Sequence, residues 1–278
     1  APISGQPQGN YAPIVQLVAP VKLQLAVLNG RYNPSKKTQL DFELAASRND
    51  LNLFSNLSDS NNDGLAARYD MTHQLLHSLK GWTIDLFSGL DYIHKDFRNI
   101  QTLYNPEFNR DWNLDNPLGN GIASEMGTQL FAKNAIALSR AEVGQINYAF
   151  QYLNFSKNYS GNRHLLRANL KADKLEFQTH SSVLKTNSDR KSSNFLRSIS
   201  QLKYQVGKFW TGVKFSTENN KIVSQIDSQL DSLSQRFSSY EGFLGVGDST
   251  KVFVKVGYVH RVNDSVQDNR LQRVNQSD

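Results

Sequence analysis

The sequence predicts an all-β chain: an antiparallel, up-and-down transmembrane β-barrel of about twelve strands, or a section of a larger barrel. Three observations predict it. Runs of about ten to fourteen residues alternate apolar and polar side chains with period two, which is a strand signal. Short turns alternate with long polar loops, so the long connections are expected on one side of the sheet, as in outer-membrane barrels. No apolar stretch reaches the roughly 18 residues that a membrane helix needs. The nearest, residues 14–28, is broken by Pro20 and Lys22.

Composition agrees with this reading. Aliphatic and aromatic residues make up 38% of the 278, and mean hydropathy is −0.52. A β-barrel hides easily in such numbers, because only every second strand residue faces lipid. Cysteine is absent, which excludes disulfides and thiolate metal sites. Net charge is +6, but the basic residues (Lys36, Lys37, Arg190, Lys191, Lys251, Lys255) are scattered. A nucleic-acid surface needs a patch or stripe, so no nucleic-acid partner is expected.

Residues 1–21 contain Pro2, Pro7, Pro13 and Pro20 and read as an extended lead-in. The barrel region is expected over 22–278. Its first strand covers 22–32, and the turn 33–37 uses Pro34. In the second strand, 38–47, Leu40, Phe42, Leu44 and Ala46 share one face, opposite Gln39, Asp41 and Glu43. A long loop, 48–63, leads to a third strand, 64–74. The fourth, 82–94, places Trp82, Ile84, Leu86, Ser88, Leu90 and Tyr92 on one face, with Asp85, Gly89 and Asp91 opposite. Aromatics ten residues apart with aliphatics between them match a membrane strand with a girdle at each interface. The same alternation would serve a strand packed on a soluble core.

The longest loop, 95–123, is rich in Asn-Pro and Gly breakers. Strands five and six follow at 124–137 and 144–155, the latter with Ile146, Tyr148, Phe150 and Tyr152 on one face. Loop 156–162 leads to strand seven, 163–172. It carries Arg167, Asn169 and Lys171 on one face, which must point inward if the strand spans a membrane. Asp173-Lys174 turns into strand eight, 175–186, where Leu175, Phe177 and Val183 oppose Glu176, Gln178 and His180. After loop 187–193, strands nine (194–206) and ten (209–218) flank Gly207-Lys208. Loop 219–237 carries Ile226, Leu230, Leu233 and Phe237 at helical spacing, and an amphipathic helix is expected there. Strands eleven (238–247) and twelve (251–262) close the series. The first residues lack the basic and apolar blocks of a signal peptide, and the last nine are polar rather than an aromatic-ended strand. The chain is therefore expected to be an internal portion of a longer one.

Candidate chemistry is sparse. Asp59, Asn61 and Asp63, followed by Gly64, match the opening of a calcium loop, with Asp70 at the twelfth position. That position usually holds Glu, and a polar turn explains the same letters. Calcium is the one cofactor this pattern raises; no other is expected. Gly245–Lys251 lacks the Gly-Lys of a phosphate loop and reads as a hairpin turn. His73 and His77 lack the intervening Glu of a zinc helix. Paired carboxylates such as Asp85 and Asp91 are too generic for hydrolase chemistry. No catalytic residue is assigned, and the chain is not expected to be an enzyme.

The phrases LNLFSNLSDSNNDGLAARY, FNRDWNL, NFSKNYSGNRHLL, GDSTKVFVKVGYVHRVNDS and LQRVNQSD resemble segments of large, poorly characterised β-barrel-like surface proteins of Bacteroidota. The resemblance spans most of 22–278 and implies a bacterial outer-membrane setting and a longer parent chain. It carries no functional residue. The expected role is a porin-like channel, a scaffold or a subunit of an envelope complex, with the lipid bilayer and other envelope proteins as partners. Two alternatives stay open: a soluble antiparallel sheet that binds a partner or glycan, and a barrel-borne hydrolase.

Overall fold

A computed structural model describes residues 18–57, 59–78, 81–101, 103–114, 127–156, 158–247 and 252–277. They form one antiparallel sheet of thirteen strands in sequential order. The strands are β1 (Lys22–Ser35), β2 (Thr38–Asp50), β3 (Asp63–His77), β4 (Thr83–Ile93), β5 (Gln129–Arg140), β6 (Gly144–Phe155) and β7 (Tyr159–Ala172). The series continues with β8 (Leu175–Ser188), β9 (Lys191–Val206), β10 (Phe209–Ser224), β11 (Gln235–Gly247), β12 (Phe253–Gln267) and β13 (Arg270–Ser277). Each strand pairs with its neighbours in sequence, and β1 and β13 are not paired with each other. The up-and-down all-β architecture is the one the period-two runs predict.

The long connections do lie on one side: those after β2, β4 and β10. That side also holds tighter links than expected. The loops expected at 156–162 and 187–193 shrink to 156–158 and 189–190, because β7 and β9 begin earlier than the apolar pattern does. Ladder pairing of polar residues, such as Thr186 opposite Ser193, extends the hairpin. Part of the predicted strand 124–137 falls outside the described residues, as do 1–17, 115–123 and the tip of the 245–251 turn.

Three expectations are corrected. The described residues form thirteen strands, where about twelve were expected. β12 runs on to Gln267, and Asp268 and Asn269 both hold positive φ, 50° and 58°. That is the geometry of a two-residue hairpin turn, which Asn and Asp tolerate. The polar tail thereby becomes β13, held by backbone pairing rather than by an apolar face.

The amphipathic helix at 226–237 does not form. β10 extends to Ser224, β11 starts at Gln235, and the loop between folds back on β10. Ser224, Asp227 and Asp231 each accept a hydrogen bond from the backbone N–H two residues on, at Ile226, Gln229 and Leu233. Such local bonds compete with helix. Ile226 and Leu233 stay exposed, so the stripe has nothing to pack on. The third correction is a helical turn that the sequence did not suggest: α1 (Phe108–Asp111), inside the longest loop.

Candidate functional site

Ladder register sorts the strand side chains onto two faces. One is covered in part by the loop that follows β4; the other is bare among the described residues. The bare face holds Leu40, Phe42 and Leu44 of β2, Leu90 and Tyr92 of β4, Tyr148 and Phe150 of β6, Phe177 of β8, Val213 and Phe215 of β10, and Val256 and Tyr258 of β12. Every bare-face Asp, Glu, Lys or Arg of β1–β12 lies within four residues of a strand end: Lys22, Arg48, Asp50, Asp63, Arg140, Lys185, Lys221, Arg236 and Asp264. The remaining charged strand residues of β1–β12 are on the covered face. Arg167, Asn169 and Lys171 point there, as the strand-seven pattern requires.

The sheet curls around its covering loop. In a flat sheet β5 and β10 would lie about 24 Å apart, at about 4.8 Å per strand. Yet α1, a turn only about 6 Å long, reaches both. The Trp112 ring lies 5.5 Å edge-on from Phe131 of β5, and Arg110 donates to both carboxylate oxygens of Glu218 on β10 at 3.0 Å. The arrangement is barrel-like, with the loop inside.

Two sets of contacts hold the loop. Phe108 and Trp112 sink into Phe131, Leu153, Phe155, Tyr159, Leu184 and Phe195 from five strands. Trp112 is 1% exposed, and the Tyr159 hydroxyl donates to its carbonyl at 2.5 Å. Gly161 makes room: a Cβ there would come within 3.1 Å of the indole. Polar bonds complete the seat. Asp111 accepts from Arg163 Nη1 at 3.0 Å and Arg197 Nη1 at 2.6 Å. Asn113 bonds Ser193 and Asn220 at 2.9 Å. Nearer β4, Phe97 packs on Ala45, Ile93 and Ala66, and the Arg98 N–H donates to Ser47 Oγ at 2.9 Å. Tyr104 stacks on Phe108 at 3.9 Å and accepts from Gln129. Burial pushes its hydroxyl pKa up to about 12, against the opposing effect of that bond.

Charge on the covered face is divided. On β1–β4, Asp41, Glu43, Asp70, Asp85 and Asp91 face only Arg31 and Arg68. On β7–β10, seven cations (Arg163, Arg167, Lys171, Lys191, Arg197, Lys203, Lys214) face only Glu176 and Glu218. The acidic side lines a cavity of about 510 Å³ beneath residues 97–101 and 103–104, bounded by Val27, Glu43, Arg68, Asp91 and Leu103. Lys133 approaches Asp91 at 3.0 Å, while Asp91 Oδ1 is buried without a hydrogen-bond partner among the described residues. On the basic side, Nε and Nη2 of Arg197 are likewise buried without one.

The sequence-predicted calcium ligands are not brought together. Asp63 and Asp70 lie on opposite faces of β3, about 23 Å apart at about 3.3 Å per residue. Asp70 instead pairs with Arg68 at 2.6 Å. Asp59 accepts from Asn62 at 3.0 Å within a 3₁₀ turn, Asp59–Asn61. Among the described residues, no three His, Asp or Glu side chains gather as a metal would need. His73 and His77 bond to different strands, through Thr38 and Thr83. Asp85 and Asp91 share a face but sit about 20 Å apart along β4. Trp82 lies one residue before β4, under Arg140 at 5.7 Å, and Tyr92 points out from the bare face near the other end.

Sequence reasoning missed the residues that matter most here: Asp111, Trp112, Arg163 and Arg197. FNRDWNL carried the signal, a Phe and a Trp four apart around an Asp in an otherwise polar loop. Compared with protein-family models and with curated proteins, the chain matches none.

Proposed function

We propose that this chain is an outer-membrane β-barrel, or the larger part of one, that works as a channel narrowed by its own inward-folded loop. One observation carries the reading: the bare face is cleared of charge along the middle of twelve successive strands. On β10 the uncharged outward run is Phe209–Asn219, about the 9–11 residues a membrane strand needs. A Lys or Arg at mid-bilayer costs about 2–4 kcal/mol, so a lipid-facing surface excludes such residues while a lumen accepts them.

Several polar groups on the bare face pair across strands, as a membrane favours. Thr179 bonds Ser200 at 2.8 Å, Ser181 bonds Ser198 at 2.7 Å, and Tyr148 bonds His164 at 2.7 Å. A soluble sheet would have to cover Leu28, Val213, Leu244, Val256 and Tyr258, each at least 60% exposed.

Absence of cysteine makes the test clean. Single-cysteine variants Leu244→Cys (bare face) and Gln178→Cys (covered face) are made in the full chain and placed in vesicles. A fluorophore at 244 should be quenched by lipid-attached quenchers, and the thiol at 178 should react with a water-soluble reagent. Equal reactivity at both sites, or purification as a soluble monomer without detergent, would return the chain to the soluble-sheet reading.

A further inference from the structure

Strand register aligns the β7–β10 cations in successive rows. Arg163 lies in the row of Leu184, Phe195 and Asn220. One step down, Arg197 shares a row with Leu165, Ser182 and Glu218. Next come Arg167, beside His180 and Ile199; then Lys214, between Gln201 and Glu241; then Lys171 and Lys203, flanking Glu176. Each row is two residues from the last, about 7 Å, so five rungs span about 27 Å, nearly a membrane thickness.

The rungs differ in what occupies them. At the loop end a carboxylate already sits on the ladder: Asp111 bridges Arg163 and Arg197. Arg197 Nη2 is buried without a hydrogen-bond partner among the described residues, and its Nε lies 3.6 Å from Glu218 Oε2. Arg167 donates from Nε to His180 Nε2 at 3.3 Å. Arg167 has no carboxylate partner among the described residues, and Lys214 stands opposite Glu241, which Lys255 holds at 2.6 Å. At the turn end, Glu176 is shared loosely by Lys171 and Lys203, at 3.9 and 3.6 Å. The middle rungs therefore carry only weakly compensated positive charge.

We infer that this ladder is an anion track, along which small inorganic oxyanions and carboxylates bind in steps and pass through the barrel. The inference rests on the channel reading and names its substrate class. Stacked, weakly paired cations favour entry of an anion and still let it leave, because each rung hands it to the next. The acidic wall of β1–β4 works in the same sense: it repels anions toward the ladder and divides the lumen into two electrostatic halves.

The test reconstitutes the full chain in planar bilayers under a potassium chloride gradient and then adds inorganic phosphate. The reversal potential should show chloride favoured over potassium, and phosphate should reduce the chloride current by occupying the rungs. Arg167→Gln with Lys214→Gln should lower the chloride preference about tenfold, the scale of electrostatic focusing in a charged cleft. Removing the same charge at the exposed β1–β2 turn, by Lys36→Gln with Lys37→Gln, should leave selectivity unchanged. Open channels that prefer potassium, or that respond alike to both double variants, overturn the ladder and leave the channel standing. Absence of conductance overturns the channel reading and the ladder's role together.

Discussion

Replacing Trp112 with Ala should release the inward-folded loop while leaving the sheet paired. The indole is 1% exposed and sits against Phe131 and Phe108. Truncating a buried aromatic costs about 3–5 kcal/mol, the cavity included. The lower end applies, because a four-residue helical turn can resettle into the space. About 3 kcal/mol is about two powers of ten in the opening equilibrium of the loop, at 1.4 kcal/mol per tenfold. Hydrogen exchange reads that equilibrium at the amides of Asp111, Trp112 and Leu114, which bond Glu107, Phe108 and Asn109 carbonyls. Their exchange should quicken about a hundredfold, with β8 and β9 amides unchanged. Trp82→Ala, at the opposite end of the strands, should leave those amides as they were. If Trp112→Ala leaves their protection intact, the aromatic seat does not hold the loop. If β8 and β9 exchange faster to the same degree, the cluster is a core of the sheet rather than a seat for the loop.

Three further changes probe the same geometry. Asp111→Asn removes the negative charge and one of the two acceptor oxygens that serve Arg163 and Arg197, whose side chains are 11% and 24% exposed; a partly screened pair should lose about 2 kcal/mol of loop docking, between surface and buried values. The same exchange measurement checks it, and unchanged protection would dismiss the ion network as an anchor. Gly161→Val sets a branched side chain against an indole that a Cβ alone would approach to 3.1 Å; overpacking of about 1–3 kcal/mol should expose Trp112 and shift tryptophan emission to the red. The third concerns Asp231, whose pKa is lowered by the Leu233 N–H and then by Lys191. A depressed carboxyl pKa gives stability that is present above the ordinary value, 3.8, and lost as pH falls through the lower folded value. Exchange protection of the Asp231 and Ser234 amides, in the β10–β11 loop, should hold at pH 6 and fall below about pH 3.8. Protection that is flat across that window would show that the carboxylate does not hold the loop.

Strand identity and facing were legible because a period of two survives in single runs. Leu40, Phe42 and Leu44, or Leu175, Phe177 and Val183, announce a face without any knowledge of neighbours. Strand ends were less legible. Apolar pattern stops before hydrogen bonding does, so polar rims such as Thr186–Ser193 and the whole of β13 read as loop. The 226–237 stripe misled because spacing says nothing about a surface to pack on, while Ser224, Asp227 and Asp231 were already in place to bend the backbone. The candidate site was the least legible part. A ladder of cations is a property of cross-strand register. Arg163, Arg167 and Arg197 look scattered along the chain, and only pairing through β8 sets them in consecutive rows.

Asp111 joins the two functional devices. It anchors the loop, and it occupies the first rungs of the ladder with the chemical group the ladder is inferred to carry. An anion that binds Arg163 and Arg197 must compete with it. Linkage is reciprocal: whatever the anion gains by displacing Asp111 the loop loses in docking, and a docked loop weakens anion binding by the same factor. Inorganic phosphate, at matched ionic strength, should therefore quicken exchange of the α1 amides where chloride does so less, because a bidentate oxyanion fits a guanidinium better than a sphere does. In Asp111→Asn the loop is already loosened and the competitor is gone, so added phosphate should no longer change its exchange. A phosphate effect that persists in that variant would mean that the anion acts elsewhere on the loop, and Asp111 would then be an anchor alone.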